Sequence, residues 1–283
     1  MRWMSFEQDG KSSFGLVVGA GEAEGVVDAG ARTRYATLKQ ALEADALAQV
    51  AKEIGDTPDH ALDAVRFLPV IEQPSKILCV GLNYKEHQEE TGRGGEDNPT
   101  IFVRFAEAQI GHEANMIRPE ESQALDFEGE IALIIGKAGR RIARDDWLGH
   151  VAGFSCYNDG SVRDYQRHTS QFTPGKNFQG TGGFGPWMVT PDEIGDLDEI
   201  EITTRLNGEV MQNAKSSLMV FGFADLIEYC STFTTLVPGD VIVTGTPGGV
   251  GAARNPPVFM DAGDVIEIEV KPIGTLRNTV VVG

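Results

Sequence analysis

Positive charge is scarce in this sequence: 24 Lys and Arg stand against 42 Asp and Glu, for a formal net charge of −18. Such a surface repels nucleic-acid phosphates and anionic lipid, so neither is an expected partner. A small anion remains admissible where a bound cation or clustered Arg and Lys makes one spot locally positive. Cysteine is also scarce. Cys79, Cys156 and Cys230 lie far apart in apolar runs. Their odd number and lack of metal-finger spacing argue against a disulfide framework and read as buried free thiols in a reducing compartment. No apolar run approaches the roughly 18 residues that cross a bilayer. The opening MRWMSFEQDGKSSFG has no signal-peptide core, so a soluble, cytoplasmic protein is expected. The phosphate-loop order GxxxxGK[ST] is missing. The glycine-rich GKNFQGTGGFGPW and TGTPGGVG lack the strand-to-helix context of a dinucleotide site, and both read as tight loops lining a pocket.

What is present is a chain of 283 residues, long enough for a sizeable core, with ordinary hydrophobic content and 34 glycines. Residues 1–72 read as a small α+β N-terminal domain. SFGLVVG suits a strand, and residues 37–55 suit one amphipathic helix with Thr37 as N-cap and Gly55 as stop signal. Residues 73–283 form the larger unit. KILCVGL, TIFVRF, DFEGEIALIIG and VAGFSCYND suit strands, NYKEHQEETG a short helix ending at Gly92, and Asn207-Gly208 a two-residue hairpin turn. Strands dominate without regular βαβ alternation, which disfavours a doubly wound fold.

In DFEGEIAL, Glu128 and Glu130 are two apart, so a strand places them on one face, with Asp126 beside them. Carboxylates so crowded repel unless a cation joins them, and a hard divalent ion takes oxygen ligands of this kind. The plain alternative is a solvated acidic strand edge, which a bare ExE in an acidic chain favours. Asp159 ends VAGFSCYND before a helical segment, a position that suits a ligand or an N-cap equally. Arg163 and Gln166 follow at i, i+3 on one helix face, placed to grip a carboxylate and a carbonyl. His87 and Glu90 form a second i, i+3 pair. A neighbouring carboxylate orients a histidine and makes it more basic, as a general base requires, although the same pairing is common on helix surfaces. Flanking glycines would let this segment act as a lid.

Taken together and in order, GLNYKEHQEE, DFEGEIALIIGK, VAGFSCYNDGSVRDYQ, GKNF, GPW, LNGEVMQ, TLVPGDVIVTGTPGGVG and AGDVIEIEV resemble the fumarylacetoacetate hydrolase family over residues 76–282. The likeness is to its acylpyruvate hydrolase and 2-hydroxyhepta-2,4-diene-1,7-dioate isomerase-like members. The resemblance implies a mixed, mainly β fold: a β-roll catalytic domain, the small N-terminal domain being a variable appendage. It implies a homodimer, and Mg²⁺ or Mn²⁺ on Glu128, Glu130 and Asp159. It gives Lys176 a supporting role, sets Arg163, Gln166 and Thr246 against substrate, and makes His87 and Glu90 the lid dyad that activates water. The expected reaction is hydrolysis of a C–C bond in a small 1,3-diketo acid through a metal-bound enolate. The alternative is decarboxylation, keto–enol isomerisation or dehydration of a 2-oxo acid at the same site. A non-catalytic binding protein has little use for a base beside a metal. Two positions depart from the family pattern, both expected near the pocket: Gln179, where many relatives carry an acid, and Arg104, where relatives often carry Lys. His112 is not expected to face the pocket.

Overall fold

Two apolar stretches organise the chain. Gly129–Ile135 and Val151–Asp159 are buried along nearly their whole length and pair antiparallel. Strands this uniformly apolar must be covered on both faces. In the computed structural model, which describes residues 1–21 and 24–283, they lie at the centre of a 12-stranded mixed sheet. On one side Val241–Val243, Ile77–Gly81 and Thr100–Arg104 follow. On the other, Gly182–Val189 leads to Arg2–Gln8, Lys11–Val18, Gly25–Asp28 and His60–Ala61. A second sheet of five strands, Glu209–Lys215, Glu201–Leu206, Val265–Lys271, Gly274–Val282 and Asn115–Arg118, covers one face. Ile131, Leu133, Phe154, Ile202, Ile268 and Leu276 fill the space between the sheets. The fold is thus mixed and mainly β, as the sequence pattern implies.

Strands from residues 1–72 extend the same sheet, with Trp3 opposite Met188. Helical residues Leu38, Leu42 and Val50 share a core with Ala132 and Ile134 on the opposite face of the central strands. The single helix expected over residues 37–55 is two, Leu38–Glu43 and Leu47–Ile54. Asp45 sits between them at φ 50°, with Ala46 N–H donating to the Ala41 carbonyl at 2.9 Å and Asp45 N–H to Leu42 at 2.9 Å. That is a Schellman ending with Asp in the left-handed position usually held by glycine. Thr37 caps the first helix, accepting from Gln40 N–H at 3.2 Å. The hairpin at Asn207-Gly208 forms with both residues at positive φ. Among the described residues no helix is long and apolar enough to cross a membrane.

Candidate metal centre and active site

Antiparallel pairing sets the start of Gly129–Ile135 beside the end of Val151–Asp159. Gly129 stands opposite Asn158, and Asp159 N–H donates to the Glu128 carbonyl at 2.8 Å. Directly opposed residues project from the same face. Glu128, Glu130 and Asp159 are therefore brought together, with one carboxylate oxygen of each within 4.8 Å of the others, and all three are buried.

Asp126 does not share that face. The strand is interrupted at Phe127 and Glu128, and Leu125–Asp126 pairs separately with Ser161–Val162. The Asp126 carboxylate instead accepts from Arg163 Nε at 2.8 Å and from the backbone N–H groups of Gly251 at 2.8 Å and Ala252 at 2.9 Å. The expected alignment of three carboxylates on one strand is corrected here. The interruption relieves their repulsion and turns Asp126 to anchor Arg163.

Three cations pack around the cluster. Lys176 Nζ lies 2.7 Å from both Glu128 Oε2 and Asp159 Oδ2. It ends the helical turn Thr173–Lys176, where Gly175 admits close backbone contact: a Cβ there would fall 2.4 Å from Gln166 N. Arg163 Nη1 is 2.6 Å from Glu128 Oε1 and donates to Gln166 Oε1 at 2.9 Å. Its Nη2 is buried without a partner. Arg104 grips the other oxygen of Asp159 at 2.6 Å and also donates to the Gly160 carbonyl and Thr181 Oγ1. Sequence reasoning marked Arg104 as a departure from the family pattern near the pocket and gave it no partner. The usable signal was one arginine closing the apolar run TIFVRF, a place where an unpaired charge does not survive burial.

Charge bookkeeping shows what the site wants. Asp126, Glu128, Glu130 and Asp159 face Arg104, Arg163 and Lys176, four anions to three cations. Among these Glu130 has no described cation partner and accepts only from Gly245 N–H, at 2.5 Å. Burial, then the charges of Asp159 and Glu128, push the Glu130 carboxyl well above its usual range. Burial works in the same direction on Glu128, but Lys176, Arg163 and His87 outweigh it and hold that carboxyl low. A cluster of carboxylate oxygens with one uncompensated member fits a hard divalent cation.

The cluster opens into a cavity of about 420 Å³ that His87, Glu90, Glu128, Glu130, Arg163, Gln166, Lys176 and Thr246 help to line. His87 lies on the helix Lys85–Thr91, which ends at Gly92 in the left-handed conformation. Its Nδ1 is 2.6 Å from Glu90 Oε1, while Glu90 Oε2 accepts from Gly249 N–H at 2.8 Å. Glu90 thus fixes the imidazole and fastens this helix to the 245–251 loop. Gly249 serves that contact at φ +99°, where a Cβ would meet the Met211 carbonyl at 2.2 Å. Thr246 Oγ1 donates to the Gly129 carbonyl and accepts from Gln212 Nε2, a buried residue that the sequence reading passed over. Gln179, expected near the pocket, is instead exposed in a turn and does not line the cavity. His112 also lies elsewhere, stacked edge-on against Phe67 and accepting from Arg277 N–H.

The chain is similar to known proteins along its whole length. The family model for the fumarylacetoacetate (FAA) hydrolase C-terminal domain matches residues 76–281. The mitochondrial oxaloacetate tautomerase FAHD2A of Bos taurus is 39% identical over 288 residues, covering 99% of this chain and 92% of that protein. Among solved structures, the fumarylacetoacetate hydrolase of psychrophilic Exiguobacterium antarcticum superposes with a TM-score of 0.83 at 34% identity over the whole of both chains. The 5-carboxymethyl-2-hydroxymuconate delta-isomerase of Mycobacterium smegmatis gives 0.81 at 30% identity, over 100% of this chain and 99% of that one.

Proposed function

Because the chain belongs to the fumarylacetoacetate hydrolase family, we propose that it is a divalent-metal-dependent enzyme that interconverts the keto and enol forms of a small 2-oxo acid. The observation that carries this reading is a three-carboxylate cluster and a carboxylate-oriented histidine lining one cavity. Glu128, Glu130 and Asp159 would hold Mg²⁺ or Mn²⁺, and such an ion supplies positive charge that favours the enolate over the keto form. Arg163, with its orphan Nη2, and Gln166 hold the substrate carboxylate. Lys176 keeps Glu128 and Asp159 in place. With Nδ1 turned to Glu90, His87 presents Nε2 to the cavity. It takes the proton from the carbon next to the 2-oxo group, the imidazolium stabilised by Glu90 then gives that proton to the 2-oxo oxygen to complete the enol, and the same transfers in reverse order restore the keto form.

A tautomerase and an isomerase among the relatives support proton transfer as the first reading, and a hydrolase among them keeps C–C hydrolysis as the second. Hydrolysis of an acylpyruvate is the second reading. The same His87–Glu90 pair favours it, since an oriented base in an open cavity can equally take its proton from water. A homodimer belongs to this reading, with exposed Val103 and Phe105 offering apolar surface to a second copy.

The test is an assay of metal-loaded protein with oxaloacetate and with an acylpyruvate. Accelerated loss of the oxaloacetate enol absorbance, without CO₂ release, supports tautomerisation. Two acids formed from the acylpyruvate support hydrolysis, and CO₂ release supports decarboxylation instead. Turnover unaffected by a chelator overturns all metal-dependent readings.

A further inference from the structure

Among the described residues, the guanidinium groups of Arg93, Arg141 and Arg167 have neither a side-chain hydrogen bond nor an ion pair, while every other arginine has at least one. Two of these three, Arg93 and Arg167, line the active-site cavity. In a chain with 42 acidic residues, carboxylates are on offer nearly everywhere. Two unpaired arginines at one cavity are therefore placed for an anion that the chain itself does not supply.

Their positions give that anion a place. Arg163 and Arg167 are i, i+4 neighbours, one turn apart, with Arg167 directly after the helix Arg163–Gln166. One turn advances about 5.4 Å, comparable to the separation of the two carboxylates in a four- or five-carbon diacid. Arg93 follows the helix that carries His87 and Glu90, so it approaches the same cavity from the other element that frames it. A cavity of about 420 Å³ also exceeds what a three-carbon acid would fill.

We propose that Arg93 and Arg167 form a second anion subsite that binds the distal carboxylate of a dicarboxylic 2-oxo acid, and so select diacids over monoacids of equal length. The proposal rests on the 2-oxo acid reading of the site. Because Arg93 and the base share one segment, a distal carboxylate held by Arg93 also steadies His87 over the reacting carbon.

A matched pair tests it: 2-oxopentanedioate and 2-oxopentanoate, which differ only in the terminal carboxylate. Each is titrated calorimetrically into Mg²⁺-loaded protein, wild type and the variants Arg93→Gln, Arg167→Gln, the double variant and the double Lys variant. All four substitute exposed side chains. The wild type is expected to bind the diacid roughly 10- to 100-fold more tightly, the scale of charge-assisted hydrogen bonds. The double Gln variant should lose that preference and keep its monoacid affinity within about twofold, and the double Lys variant should recover part of it. Equal wild-type affinity for both acids, or equal loss of both in the Gln variant, overturns the subsite while leaving the 2-oxo acid reading standing. A diacid preference in a protein that turns over no 2-oxo acid upholds the subsite and sinks the proposed reaction. Binding of neither acid sinks both.

Discussion

Replacing Lys176 with Met removes the ammonium that bridges Glu128 Oε2 and Asp159 Oδ2, each at 2.7 Å, and substitutes an unbranched apolar chain of similar length. Burial opposes the charge on Lys176, but Asp159 and Glu128 outweigh it and hold the lysine firmly protonated. Deleting one partner of a buried ion pair leaves the other uncompensated, at a cost of about 3–5 kcal/mol. In the metal-free protein the cluster would pass from four carboxylates against three cations to four against two. For a chain of this size that corresponds to a fall in Tm on the order of 10 °C.

A divalent ion compensates the same carboxylates that the lysine did. Metal at 100 times its Kd stabilises by about 2.7 kcal/mol. The cluster without Lys176 is more negative, so the rise in Tm on adding Mg²⁺ should be at least as large in the variant as in the wild type. Differential scanning calorimetry with chelator and with saturating Mg²⁺ gives all four values. A metal-free variant within 1 °C of the wild type, or a smaller metal-induced rise, would refute the charge bookkeeping.

Proton release provides an independent check. The Glu130 carboxyl is raised, so its contribution to metal-free stability is complete below the ordinary value of 4.5 and is lost as pH climbs through the raised value. Metal must displace that proton, so metal affinity should increase with pH, with up to one proton released per ion; calorimetry in buffers of different ionisation enthalpy counts it, and a count of zero across the acidic range contradicts the assignment. His87→Ala should lower kcat by roughly 10²–10⁴-fold while leaving the metal Kd within about threefold, as seen by parallel kinetics and metal titration. Arg104→Gln removes a positive charge from one oxygen of Asp159, so by the same count metal binding should not weaken; a loss of roughly tenfold or more would show that Arg104 acts chiefly by orienting Asp159.

How much of this could be read in advance varied with the kind of signal. Alternating and continuous apolar runs located most strands, because burial writes its period directly into the sequence. The Glu128–Glu130 pair was legible for the same reason. The interruption at Phe127 and Glu128 was not, since nothing local marks it. It follows from Asp126 finding Arg163 and two backbone N–H groups more than 30 residues away. The break at Asp45 escaped because a left-handed helix ending normally advertises itself with glycine. Gln212 and Arg104 act through partners remote in sequence, Thr246 and Asp159; Gln212 carries no local signal, and Arg104 shows only as a charge closing an apolar run, which does not name its partner. Periodicity reports which face a residue is on, whereas a buried polar network is decided by which distant groups need satisfying.

The same charge count bears on how a protein of net charge −18 would accept an anion at all. Without a cation the cluster has no net positive charge, being balanced while Glu130 keeps its proton and one negative once Glu130 ionises, and Glu90 lines the cavity beside it. A 2-oxo acid would then enter against local and global repulsion, with only Arg163 Nη2 and the two mouth arginines in its favour. A divalent ion with Glu130 ionised would leave one net positive charge, turning the field positive at the point where the substrate's oxygens would lie. Anion binding is therefore expected to require the metal: the chelated protein should bind 2-oxopentanedioate at least 100-fold more weakly than the loaded one. Calorimetry before and after metal addition measures this, and an affinity that changes by less than about threefold would mean that the arginines, rather than the carboxylate cluster, recruit the substrate.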